Sequence, residues 1–135
     1  MRRLAVLAVG LALAFGGCGG EDKKAAPPPA RLDQSTPRAL TQSLFAIAKQ
    51  GNLAALAGVA APEVAAREAK DLAELAGAPA EDQQAFKTDF ATGTITGERI
   101  HGDKAEVDIR FGPDGKKAER LVLVKVGEKW FLKDF

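Results

Sequence analysis

The sequence predicts an α+β domain, with N-terminal helices packed on a curved four-stranded antiparallel sheet. Three observations carry this reading. Apolar residues recur at helical spacing from Pro37 to about residue 91. From Thr94 onward the period falls to two, as in half-buried strands. Glycine turns at Gly102, at Gly112 to Gly115 and at Gly127 punctuate that second half. Helices followed by strands, without alternation, belong to α+β rather than α/β architecture. The chain has 135 residues, of which 46% are hydrophobic and 27% charged, which excludes wholesale disorder and fibrous classes. A net charge of +1 supplies no overall basic field, so nucleic acid is not an expected partner.

The first segment, MRRLAVLAVGLALAFGGCGG, divides by physical role. Arg2 and Arg3 give a positive start, and Leu4 to Phe15 is uncharged. That run is shorter than the roughly 20 residues a membrane-spanning helix needs and suits a signal-peptide core. Small Gly16 and Gly17 then precede Cys18, the only cysteine in the chain. Phe15-Gly16-Gly17-Cys18 resembles a bacterial lipobox, with Phe15 where Leu is usual. The resemblance implies cleavage before Cys18, fatty acylation of its thiol and membrane anchoring. An exported domain with one thiol forms no internal disulfide, and lipidation gives that thiol a use. The alternatives are an ordinary secretory signal or a short anchor helix. The expected organisation is a lipoprotein signal peptide at 1–17, lipidated Cys18 with a Pro/Ala-rich linker at 18–35, and one domain at 36–135.

The linker contains Gly19, Gly20, Glu21, Asp22, Lys23 and Lys24, then Pro27 to Pro29, with no apolar periodicity. Its prolines favour an extended spacer of at most roughly 50 Å.

Thr36 and Pro37 suit an N-cap and a first helical position. Leu40, Leu44 and Ile47 build the apolar stripe, widened by Phe45 and Ala48, and Gly51 suits the C-terminal cap. Asn52 is placed to cap a short second helix with Leu53 and Leu56. Pro62 suits the first turn of a third, carrying Val64, Leu72 and Leu75 before Gly77. A last helix over about Pro79 to Ala91 sets Phe86 and Phe90 four apart, with Glu81 and Asp82 at the positive end of its dipole.

In the sheet half, Ala105, Val107, Ile109 and Phe111 alternate with Lys104, Glu106, Asp108 and Arg110. Gly102-Asp103 reads as a two-residue hairpin turn, Gly112-Pro113-Asp114-Gly115 as a longer one, and Gly127-Glu128 as the last. Val122, Val124 and Val126 share one face of their strand and Leu121 and Leu123 the other, which predicts a central strand covered on both sides. Ile95 and Ile100 have opposite parity around Gly97. A bulge near Gly97 and Glu98 brings both to the core face.

Thr36-Pro37 opening a helix, Gly51-Asn52-Leu53 starting the next, Gly102-Asp103-Lys104-Ala105-Glu106-Val107, and closing Val126-Gly127-Glu128-Lys129-Trp130 together resemble the nuclear transport factor 2-like superfamily. Within it, the chain looks like small bacterial lipoproteins whose domains have no assigned function. The resemblance covers about residues 35 to 135. It implies a cone-shaped domain with a pocket, homodimerisation through the sheet, and functions ranging from enzymes to protein-binding modules.

Enzymes on such a cone place an acid or base inside the apolar pocket. The chain has no tyrosine, and Asp108 falls on the charged face of its strand. His101 is the sole histidine. One reading makes it a general base with Asp89 or Asp103, and the other an exposed turn residue. No catalytic residue, cofactor or metal site is expected; one histidine and a committed cysteine do not make a ligand set. Lys116, Lys117 and Arg120 form a small basic cluster diluted by Asp114 and Glu119. Trp130, Phe131, Phe135, Phe86 and Phe90 read as core. The expected function is a lipid-anchored, non-enzymatic module of the cell envelope that binds a protein or a small apolar ligand. The alternatives are an isomerase or dehydratase and an immunity or inhibitor lipoprotein. Gly19 after the cysteine, rather than Asp, resembles lipoproteins sorted to an outer membrane.

Overall fold

The structure, a computed structural model, describes residues 28–135. The expected signal peptide, Cys18 and the expected linker as far as residue 27 lie outside the described residues. Helix α1, Pro37–Gln50, begins and ends where side-chain chemistry dictates. Thr36 is extended, and its hydroxyl accepts from the Ala39 N–H at 2.9 Å. Gly51 takes the left-handed conformation at φ 75, which a residue with a Cβ resists, and its N–H donates to the Ile47 carbonyl. Leu40, Leu44 and Ile47 are fully buried. Thr41 and Ser43 are also buried, and their hydroxyls donate back to the carbonyls of Pro37 and Ala39 at 2.9 and 2.8 Å.

The next elements depart from the sequence reading. Leu53–Leu56 is a single 3₁₀ turn, and Asn52 makes no cap bond to it. Its amide donates instead to the Ala30 carbonyl at 3.0 Å. Helix α2 is Arg67–Ala73, so it starts at Arg67 and not at Pro62. The intervening backbone bonds to the sheet: the Ala61 N–H donates to Leu132 O and the Ala66 N–H to Lys133 O, both at 2.8 Å. Those bonds compete with a helical turn for the same groups, leaving Val64 52% exposed. A second 3₁₀ turn, Leu75–Gly77, leads to α3, Ala80–Phe90, which agrees with the helix expected over Pro79 to Ala91.

The sheet is a four-stranded antiparallel meander in the order β1-β2-β3-β4, formed by Thr94–His101, Lys104–Phe111, Lys117–Val126 and Lys129–Asp134. Gly102 and Gly127 make the two tight turns at φ 62 and 65. Ile95 faces Ile109 and Gly97 faces Asp108, so Thr96 is the extra residue of a bulge. The bulge sets Ile95, Glu98 and Ile100 opposite the core-facing residues Ile109, Val107 and Ala105. Glu98 meets Arg38 of α1 at 4.0 Å, and Ile100, at the hairpin end, stays 52% exposed.

The helices cover one face of this sheet, against Val107, Ile109, Leu121, Leu123 and Leu132. β3 is central but covered on that face alone, which corrects the two-sided reading. Val122 and Val124 are half-buried and Val126 is 46% exposed. Phe131, the cross-strand partner of Val124, supplies part of their shielding. An aromatic run of Phe45, Phe86, Phe90 and Phe111 joins helices to sheet, with centroids of 4.8 to 6.4 Å between neighbours.

The end of the expected linker is fastened to the domain. Trp130 and Gln34 exchange two hydrogen bonds at 2.9 and 3.0 Å, and the Asp33 N–H donates to Ser43 Oγ at 2.8 Å. With Val59 and Ala61 bonded to Leu132, the outer edge of β4 is paired by irregular chain over residues 130 to 133.

Candidate functional site

A groove of about 790 Å³ lies between α2 with its following turn and α3. Its local sequence explains why it is open. The second 3₁₀ turn and Pro79 interrupt the helical path, and the Gln83 amide donates to the carbonyls of Ala76 and Ala78 at 3.0 and 3.1 Å. These bonds fix the turn that holds α3 apart from α2. Only Phe86 and Phe90 of α3 are buried, while Ala85 and Asp82 stay exposed.

The floor is apolar. Leu72, Leu75, Phe86 and Phe90 line it, Phe135 closes one side, and Phe86 stacks on Phe90 at 4.8 Å. The rim is acidic: Glu68, Asp71 and Glu74 on one wall, Asp82 and Asp89 on the other, with no Lys or Arg in the lining. Asp71 meets Arg67 at 3.7 Å on an exposed side of α2, a pair worth little in water. At the C-terminal end of α3 the Gly112 N–H donates to the Asp89 carbonyl at 2.8 Å, locking that end of the wall to the β2–β3 turn.

A second cavity, about 370 Å³, lies between α1 and the start of β1. Arg38, Gln42 and Lys49 line it, so its charge is opposite to that of the groove.

The sheet's outer face carries a different arrangement. Asp108 accepts from Arg120 Nε at 2.8 Å and from Arg99 at 3.1 Å, and Glu106 accepts from Arg99 Nε at 3.0 Å. The hydrogen bond from Arg120, then that from Arg99, holds the Asp108 carboxyl below the usual carboxylate range. Glu106 and Asp108 in turn raise the Arg99 guanidinium. Such a mutually satisfied cross-strand set organises the surface and leaves no free acid or base.

Among the residues singled out in the sequence, only some meet. Asp89 lines the groove, whereas His101 and Asp103 are exposed at the β1–β2 turn and do not. Lys116, Lys117 and Arg120 form no shared patch. Lys117 Nζ lies 5.0 Å from the Phe111 ring centroid, Arg120 engages Asp108, and Lys116 stays in its turn. Trp130 is buried, and Phe131 and Phe135 are half-buried. Phe86 and Phe90 are core residues that also floor the groove. Sequence reasoning missed the groove and the acids Glu68, Asp71, Glu74 and Asp82. The signal that finds them is carboxylates and apolar residues sharing one helical face, legible once the start of α2 is known. Cys18 lies outside the described residues.

Among the described residues, no three of His, Cys, Asp and Glu are placed to hold a metal ion. Among them, too, no helix is long and apolar enough to cross a membrane. Comparison of the chain with protein families, with curated proteins and with solved structures finds no match.

Proposed function

We propose that the chain is a lipid-anchored lipoprotein of the bacterial cell envelope, whose small α+β domain is a non-enzymatic binding module of the nuclear transport factor 2-like type. The groove between α2 and α3 carries the binding half of this reading. Its apolar floor and acidic rim suit recognition, because its lining offers carboxylates and hydrocarbon but no imidazole, thiol or hydroxyl side chain. Phe15-Gly16-Gly17-Cys18 supports the anchor, and the Pro27 to Pro29 run supports a spacer between membrane and domain. An isomerase or dehydratase uses an acid or base buried within an apolar pocket, whereas Glu68, Asp71, Glu74 and Asp82 are exposed on the groove's rim and His101 lies outside its lining.

Intact-mass spectrometry of detergent-extracted protein from its native host tests the anchor, comparing wild type with Cys18→Ser. The expected result is a mass for residues 18–135 plus acyl chains, lost in the variant. An unacylated mass in the soluble fraction overturns the anchor.

A further inference from the structure

We propose that the α2–α3 groove receives a cationic amphipathic helix of a protein partner, an assignment that rests on the binding-module reading and gives it a ligand class. On the first wall Glu68, Asp71 and Leu72 of α2 are spaced i, i+3 and i+4, which puts them on one face, and Leu75 of the following 3₁₀ turn continues the lining. On the second, Asp82, Ala85 and Phe86 repeat that spacing and Asp89 carries it to i+7. The carboxylates of Glu68, Asp71 and Asp82 are exposed, and Leu72, Leu75 and Phe86 are buried. Each wall thus has an outer acidic line and an inner apolar line. A helix laid between them places aliphatic or aromatic anchors on the floor and Lys or Arg against both rims.

Charge and length select this occupant. Carboxylates on both rims repel an anionic lipid headgroup or nucleic acid, and they oppose a second copy of the same face. Asp82 and Asp89 lie seven residues apart on α3, about 10 Å at 1.5 Å per residue, or two turns of a helix. Charges ranged along both sides over that length fit a rod better than a compact ligand.

The test uses the full chain in a neutral detergent and three labelled peptides of about 14 residues, helical at 1.5 Å per residue and so longer than the groove. One combines Leu, Trp and Lys on opposite faces, one replaces Lys by Glu, and one replaces the apolar residues by Ser. Fluorescence anisotropy is expected to show binding of the Leu/Lys peptide alone. Glu68→Lys, Asp71→Lys and Asp82→Lys together, all at exposed positions, should weaken it by about tenfold or more. Ala85→Arg, inside the groove, should weaken it as well. Circular dichroism and thermal melting establish that both variants fold.

Equal affinity in wild type and variants, equal binding of the Ser/Lys peptide, or preference for the Leu/Glu peptide overturns the proposal. So does self-association that Ala85→Arg abolishes, which gives the groove to a second copy. Binding of a neutral apolar dye lost in Ala85→Arg, without any peptide affinity, overturns the cationic helix and leaves the binding-module reading standing. Absence of both dye and peptide binding overturns the two together, and the acylated mass bears on neither.

Discussion

The two ends of the helical layer are built to different standards of closure. Helix α1 has a cap at each terminus and eight buried residues among its fourteen. Helix α3 has eleven residues, two of them buried, and no side-chain cap. The contrast teaches where stability and recognition reside. α1 and the sheet close over one another, whereas α2 and α3 lend Leu72, Leu75, Phe86 and Phe90 to that same core and leave a groove open above them, beside their acids.

The sharpest way to break that contrast is to damage the closed end. Leu44→Ala removes a fully buried side chain facing the sheet and should cost about 3 kcal/mol of unfolding free energy, read by urea denaturation. Gly93→Ala comes next. A Cβ there would overlap the Phe45 ring, which packs against Phe90 at 6.4 Å, and the expected loss is about 2 kcal/mol. Phe45→Leu in the same chain should make the Gly93→Ala loss smaller than in wild type, and strict additivity would sink that explanation. Thr36→Ala removes the hydroxyl that accepts from Ala39 and should cost about 1 kcal/mol.

Smaller effects come from the polar surfaces. The Asp108 carboxyl is lowered in the folded chain by Arg120 and Arg99, so its stabilisation is present above the ordinary carboxylate pKa of about 4 and fades as pH falls through the folded value. Melting temperature followed downward from pH 5 should therefore decline less steeply in Asp108→Asn than in wild type. At the open end, Ala85→Arg should change stability by no more than about 0.5 kcal/mol. A loss as large as that of Leu44→Ala would mean that the groove is part of the core after all.

The elements whose boundaries rest on local chemistry were legible in the sequence. Thr36, Pro37 and Gly51 delimit α1 through one hydroxyl, one fixed φ and one left-handed residue. Gly102 and Gly127 mark hairpins because positive φ is required there. The bulge followed from the parity of Ile95 and Ile100. The region around Pro62 was opaque, since Val59 to Ala66 bonds with β4, distant in sequence. Local propensity cannot weigh such partners against a helical turn. The exposed face of β3 was misread for a related reason: a run of Leu and Val looks alike whether one face or two are covered. The groove is a tertiary product of α2, α3 and the Gln83 staple, and no single segment announces it.

The fastening of the chain to β4 also decides how copies of this protein meet in a crowded solution. A bare strand edge templates addition of another strand, the first step toward domain-swapped or amyloid-like aggregates. At β4 that step is closed, because Gln34, Val59, Ala61 and Ala66 already occupy the available groups. The edge of β1 has no strand beside it among the described residues, and its bulge at Thr96 breaks the flat register a newcomer needs. Aggregation of the folded domain, where it occurs, is therefore directed to one side of the sheet. Straightening that bulge would lengthen the regular edge that β1 offers to another strand.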